Sequence, residues 1–399
     1  MTNTGRALII GGGIAGPVVA LALRRAGIES TVYEAYATSA EGIGGLLLVA
    51  PNGLAALRII GADVGGIGQP IRRMVMGSGT GKRFGEFAGL PDLPPSQVMW
   101  RSELYRVLHD HAVARGIRIE YGKRLVGVDD GPTGITARFA DGSTARGDVV
   151  VGADGIRSTV RTLIDPNAPG PEYVGHLGFG GRATGSGVQG EPGTMYFVFG
   201  KQGFLGYWTE PDGRTLWFAN LPHKTPMTMS QAREVPAADW VRRLREVYAD
   251  DVPGRDLLEH TCADQLFVAG AGEILPRVPH WHRGRTVLVG DSAHAPSSSS
   301  GQGASLAAES AVELARCLRD LPDVPTAFAA YERLRRPRVE KVAAYAAKQN
   351  SQKVSGPIAK ALTSLLMPIA MKTFFKPEKM LGWMHSYRID WDDIVTQSR

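Results

Sequence analysis

Six residues near the start of the chain carry the clearest chemistry. Gly11-Gly12-Gly13-Ile14-Ala15-Gly16 fits G-x-G-x-x-G, a spacing suited to gripping a pyrophosphate. Gly11 permits the tight turn, Gly13 lets phosphates approach the backbone, and Gly16 lets a helix pack closely on a strand. Amides opening that helix at Ile14 and Ala15 add donors and a partial positive charge. Glu34 lies 21 residues past Gly13, where a carboxylate can accept from ribose hydroxyls. The alternative, a glycine turn that binds nothing, leaves the placement of Glu34 to chance. The motif does not say which dinucleotide is held.

The elements needed to position these residues are legible around them. Ala7-Leu8-Ile9-Ile10 is a continuous apolar run, as expected of a strand buried on both faces. Ile14 to Ala26 has near-helical apolar spacing and a stop at Gly27, and Ser30 to Glu34 reads as a second strand. Together they predict a βαβ unit. Met99 to Ala114 reads as a helix and Ile117 to Glu120 as a further strand. Ile135 to Phe139 and Asp148 to Val151 read as strands around an Asp141-Gly142 turn. From about Pro171 to Arg277 the texture changes to aromatic alternating runs such as Met195-Tyr196-Phe197-Val198-Phe199, predicting a separate antiparallel sheet. Thr286 to Gly290 returns to a buried strand, Ala304 to Leu318 is helical, and Pro357 to Phe375 reads as a packed terminal helix.

Composition narrows the classes. The chain has 399 residues, 43% hydrophobic and 21% charged, which argues for a folded protein of two or three domains. Its 50 glycines, about one residue in eight, imply many tight turns or close backbone approaches. A net charge of +6 is mild over this length, and the basic run Arg333 to Arg338 has no interleaved aromatics. It reads as a solvated helix face, so no nucleic-acid partner is expected. Two cysteines give neither a zinc spacing nor a disulfide framework, so no metal and a cytoplasmic location are expected, with both thiols as buried fillers. No apolar run reaches the ~20 residues of a membrane span.

Two later segments bear on the dinucleotide. Asp148-Val149-Val150-Val151-Gly152-Ala153-Asp154-Gly155 precedes Arg157 and Arg161, and Gly290-Asp291-Ser292-Ala293-His294 precedes Gly301-Gln302-Gly303-Ala304. With the N-terminal turn they resemble, in order and separation, the single-component (group A) FAD-dependent aromatic hydroxylases of the para-hydroxybenzoate hydroxylase type. Arg101 matches an arginine that reaches FAD in that family, Gly44-Gly45-Leu46 resembles the glycine loop near the isoalloxazine, and Tyr331 to Pro337 the helix closing the FAD domain. The resemblance implies that Asp154 and Gly155 serve FAD and incoming NAD(P)H, and that Asp291 and Gly301 to Ala304 hold the ribityl and pyrophosphate regions.

Read as residues alone, Asp154 can equally be a turn or helix-cap carboxylate, Arg101 a surface ion pair, and His294 a structural histidine. Ala35, Ser298, Ser305 and Ser310 depart from the family's frequent arginine, proline, asparagine and aspartate.

The fold class expected is α/β. A Rossmann-like FAD-binding domain (1–72, 98–170, 278–345) is interleaved with an antiparallel-sheet substrate domain (73–97, 171–277) and followed by a helical tail (346–399). A single G-x-G-x-x-G leaves no second dinucleotide domain, so NAD(P)H visits as a transient co-substrate. The resemblance then implies a monooxygenase in which reduced flavin captures O2 as a C4a-hydroperoxide and passes one oxygen to a small aromatic or polycyclic substrate. A non-oxygenating dehydrogenase, reductase or cyclase on the same scaffold is the alternative reading. Phe179, Tyr196, Tyr207 and Trp217 are candidates for an aromatic substrate wall, with ordinary core as the competing reading. Arg182 is the candidate for meeting a phenolate or the nicotinamide nucleotide, against a plain surface charge.

Overall fold

The protein is described by a computed structural model covering residues 4–39, 44–353 and 377–396. Strand β1 (Arg6–Ile10), helix α1 (Ala15–Arg25) and strand β2 (Glu29–Tyr33) form the N-terminal βαβ unit. The two strands pair in parallel with Ile10 opposite Tyr33. The chain continues through β3 (Leu46–Val49), α2 (Pro51–Ile59), β4 (Gln69–Ile71), β5 (Arg73–Ser78), β6 (Arg83–Ala88), β7 (Ser96–Trp100), α3 (Arg101–Ala114) and β8 (Arg118–Glu120). The expected helix from Met99 thus starts two residues later. Met99 stays in β7, and Trp100 opens the helix by donating its backbone N–H to Glu103 Oε2 at 3.1 Å.

Next come β9 (Leu125–Gly131), β10 (Gly134–Phe139), β11 (Thr144–Gly147), β12 (Val149–Gly152) and α4 (Thr159–Ile164). Here the hairpin reading needs correcting. The strand that folds back on β10 is β11, whereas Val149 to Gly152 leave the hairpin and pair in parallel with β1. Three consecutive valines suit a strand covered on both faces better than a half-exposed hairpin arm.

The remaining strands are β13 (Glu172–Ala183), β14 (Thr194–Phe199), β15 (Phe204–Thr209) and β16 (Thr215–Pro222). After α5 (Met229–Glu234), α6 (Ala237–Tyr248) and α7 (Gly254–Glu259) come β17 (Leu266–Ile274), β18 (His282–Arg283), β19 (Thr286–Leu288), α8 (Gly303–Asp320) and α9 (Val324–Lys353). One sheet runs β18-β19-β12-β1-β2-β8, with α1 packed on it and α8 packed in turn on α1. A seven-stranded sheet runs β17-β13-β16-β15-β14-β5-β6. It is antiparallel as expected except at β5, which arrives from an earlier part of the chain and pairs with β14 in parallel.

The seven-stranded sheet has two unlike faces. One buries Leu177, Phe179, Leu205, Tyr207, Trp217 and Leu221 against α5, α6 and α7. The other turns Met195, Trp208 and Leu216 toward the small sheet β3-β7-β4, with Leu46, Trp100, Phe197 and Phe218 only partly covered. The last described residues fold back over α8 and α1, where Trp391 lies beside the guanidiniums of Arg25 and Arg319 at 4.9 and 4.7 Å.

The expected helix over Pro357 to Phe375 lies outside the described residues. Among the described residues no helix is long and apolar enough to cross a membrane. Cys317 is buried but Cys262 is exposed, so only one of the two thiols is a core filler.

Candidate nucleotide and substrate site

The three motifs meet at the C-terminal ends of β1, β12 and β19, the usual ligand edge of a parallel sheet. Contact between the first two is intimate: a Cβ added at Gly11 would lie 2.4 Å from the Ala153 carbonyl oxygen and 2.9 Å from Asp154 Cα. A Cβ at Gly16 would stand 1.9 Å from the Gly11 oxygen, so the helix can sit this close only without one. The third motif closes in from the other side, with Gly290 against Ala15 and Ala307.

Helix α1 begins with no side-chain cap and no acidic residue in its first turn, and α8 begins the same way at Gln302. Both helix ends therefore keep amide donors and positive dipole ends for an anionic ligand. Glu34 stands at the turn itself: its Oε2 accepts from Gly12 N at 2.7 Å, and its Oε1 from Tyr36 N at 2.9 Å. Remaining lone pairs on that carboxylate are available to a sugar hydroxyl. Arg101 lies beside Gly13, with Nη2 3.5 Å from where a Cβ would be. Burial lowers the basicity of its guanidinium, while the carboxylates of Asp291 and Glu34 pull it back up. Gly44 packs on the Arg101 side chain, and Gly45 on the Phe267 ring.

Asp291 is open to solvent within the trough yet ringed by protein. That crowding pushes its carboxyl up to about 6, and Arg101 opposes the rise. Water reaches the carboxylate in the open trough, so the full rise belongs to a filled one. Gly301, at φ +61°, bends the loop against Leu48 just before Gln302 and Gly303 open α8.

Asp154 is placed differently from the contact role that the resemblance implies. Its Oδ2 accepts from Val160 N at 3.0 Å and its Oδ1 from the Ser158 hydroxyl, which itself caps α4 at Arg161 N. Burial raises its carboxyl, and those hydrogen bonds oppose the rise. The carboxylate holds the turn containing Gly155 rather than reaching out from it.

His294 is structural as well. Its Nε2 meets the Ser310 hydroxyl at 3.0 Å, and burial, reinforced by the charge of Arg335, pushes the imidazole down to about 3.

The proposed aromatic wall is corrected. Phe179, Tyr207 and Trp217 belong to the core beneath α5 to α7, and Tyr196 stacks on Tyr207 at 4.7 Å on that same face. Trp217 is fully buried, and its indole donates to the Thr261 hydroxyl at 2.9 Å. Side chains alternate along a strand, so the residues facing the nucleotide side are the neighbours Phe197, Trp208, Leu216 and Phe218. Arg182 does point to that inner side, but its Nε lies 3.3 Å from Glu210 Oε2, and the carboxylate compensates its charge.

Sequence reading also missed a buried polar cluster behind α8. Glu309 accepts from Asn52 Nδ2, Arg335 Nη2 and Arg338 Nε and Nη2 at 2.6 to 2.8 Å. Asn52 donates from the same nitrogen to Gln302 Oε1 at 2.9 Å, tying the start of α2 to the glycine loop. Burial disfavours the charged Glu309 carboxylate, yet the two guanidiniums outweigh it and hold its carboxyl low. Arg335 is completely buried, so the run Arg333 to Arg338 is not a solvated face. The available signal was Glu309, with Glu313 one turn on, within a largely apolar run of α8, where a buried carboxylate needs a partner.

A Rossmann-type sheet with a nucleotide trough, set against a second sheet with a half-open apolar face, defines the class of protein: a dinucleotide-binding α/β fold with an adjoining apolar site. The chain belongs to the FAD binding domain family, matched over residues 5–346. It is 32% identical over 340 residues to the aurachin C monooxygenase/isomerase of Stigmatella aurantiaca, covering 82% of this chain and 84% of that protein. It is 28% identical to an FAD-dependent urate hydroxylase of Klebsiella pneumoniae, covering 84% and 86%. The crystal structure of Klebsiella pneumoniae HpxO complexed with FAD and uric acid superposes with a TM-score of 0.79 at 23% identity, over 97% of this chain and 97% of that one.

Proposed function

We propose that the chain uses FAD and NAD(P)H to insert one O2-derived oxygen atom into a small aromatic or polycyclic molecule. The observation that carries this reading is the junction of the trough with the apolar inner face of the seven-stranded sheet: Gly45 touches Phe267, and Phe267 lies against Trp100 at 6.2 Å.

The residues fit an extended dinucleotide. The uncapped start of α1 receives the pyrophosphate, Glu34 the adenosine ribose, and Asp291 the sugar-chain hydroxyls. Backbone donors from Gln302 to Ala304 at the start of α8 would meet the flavin or phosphate oxygens, the Gly301 N–H being taken by the Ser298 carbonyl. FAD, when bound, supplies the exchange of electrons with NAD(P)H and O2. Asp154 and Gly155 shape the wall of the trough, Arg101 joins Asp291 to Glu34 electrostatically, and the phenyl-rich inner face excludes water from the substrate. NAD(P)H visits from solvent, and a division into FAD-binding, substrate and tail regions at the boundaries given above belongs to the same proposal, as does a cytoplasmic location.

The test is purification of the flavin-loaded protein, followed by a screen of aromatic metabolites for accelerated NADPH consumption under 18O2. Product carrying one labelled oxygen is expected. Substrate-dependent NADPH oxidation that leaves no label in product would replace this reading with a non-oxygenating flavoenzyme. A protein that does not take up FAD at all would remove both.

A further inference from the structure

The inner face of the seven-stranded sheet is a slot built largely without charge. Along β13 its inward position nearest the glycine loop is Gly180, which has no side chain; a Cβ there would stand 3.9 Å from both Leu46 Cδ1 and Phe267 Cδ1. On the adjoining strands the inward neighbours are Gly206 and Phe218, and the Phe218 ring covers Gly206 so closely that an added Cβ would collide with it. Phe197 and Phe204 extend the same phenyl surface, their rings 5.8 Å apart, and Phe197 lies edge-on to Phe218 at 6.4 Å. Phe197, Phe218 and Phe267 are all partly exposed, so their faces are available to a planar ligand, while Gly180 lies buried beneath Leu46 and Phe267.

The charged groups at this face cancel. Arg182 is paired with Glu210 at 3.3 Å, Gln69 donates to the same carboxylate, and Arg214 stands 3.8 Å from it while pairing with Asp212. Two guanidiniums and two carboxylates sum to zero. Arg101 is already engaged electrostatically by Asp291 and Glu34. A carboxylate bound among these phenyl rings would lose its hydration without gaining an uncompensated cation from these groups. A neutral fused ring incurs no such loss and gains the contact area of three aromatic faces.

We propose that the substrate enters as an uncharged, flat, fused-ring aromatic, and that Phe197, Phe218 and Phe267 set this preference. The inference rests on the monooxygenase reading for what happens next, but the preference itself is a property of binding.

The test uses the FAD-loaded protein without NADPH and without oxygen, and reads dissociation constants from ligand-induced changes in the flavin absorbance. Two probes share one ring system: 2-naphthol and its carboxylate counterpart 3-hydroxy-2-naphthoate. The neutral probe is expected to bind at least about tenfold more tightly, a factor that corresponds to about 1.4 kcal/mol. Phe218→Arg supplies an uncompensated cation and should reverse the order. Phe267→Ala removes one of the exposed ring faces and should weaken both probes together, without changing their order. Equal or tighter binding of the naphthoate to the unmodified protein overturns the proposal, and so does the failure of either probe to perturb the flavin. Because no turnover is involved, a non-oxygenating flavoenzyme would show the same preference, while the oxygenase reading stands or falls on label incorporation.

Discussion

The two faces of the seven-stranded sheet are made of the same kinds of residue and do different work. The covered face is locked by α5, α6 and α7, with Trp217 and Tyr248 buried and their polar atoms partnered. The inner face also carries aromatics but leaves several half-open opposite β3 and β7. Hydrophobicity therefore does not mark a binding surface; incomplete coverage of hydrophobic residues does.

The difference can be broken most forcefully at two adjacent residues of β16. Trp217→Ala should destabilise the protein by about 3–5 kcal/mol, because it leaves a large cavity and strips the Thr261 hydroxyl of its indole donor. Phe218→Ala should cost less stability, about 1–2 kcal/mol for a partly exposed ring, but should weaken aromatic ligand binding about tenfold. Chemical denaturation together with flavin-monitored titration of both variants checks the pair. Equal loss of ligand affinity in the two would erase the distinction between the faces.

A smaller effect separates the trough from the covered face by pH. Asp291 has its carboxyl raised toward about 6, so the folded state holds this proton more tightly than the unfolded chain. That contribution is complete below the ordinary aspartate range and is lost as pH rises through about 6. Because water reaches this carboxylate in the open trough, stability of the FAD-free protein should decline only slightly over that window, and Asp291→Asn should remove the decline; thermal midpoints measured from pH 4 to pH 7 read it out. A window unchanged in the variant would place the titration elsewhere.

The smallest change belongs to the covered face again. Tyr196→Phe removes only the acceptor for the exposed Glu191 N–H, 3.0 Å away. It should cost at most about 1 kcal/mol and leave aromatic ligand affinity unchanged. A marked loss of affinity would return Tyr196 to the substrate wall.

Much of the nucleotide half was legible because its requirements are local. Gly11, Gly13, Gly16 and Glu34 sit at fixed offsets within one βαβ unit, and the strand and helix periods on either side confirm the register. Asp154 was legible as a position but not as a role, since which atoms its carboxylate meets depends on how α4 starts. The wall was misread for a related reason. In Met195-Tyr196-Phe197-Val198-Phe199 and Thr215-Leu216-Trp217-Phe218 both alternating sets are apolar, so the period of two fixes the alternation without saying which set is covered.

By itself, then, the sequence determined that a dinucleotide is held at the head of a parallel sheet and that an aromatic-rich sheet follows. Both follow from short-range spacing that survives without knowledge of neighbours. Only the tertiary structure decided which aromatics face the trough, that Arg182 is compensated by Glu210, and that Glu309 is the buried partner of Arg335 and Arg338. Those facts depend on where α5 to α7 dock and on contacts between segments far apart in the chain. Coverage and charge compensation arise between elements, and spacing within one element does not encode them.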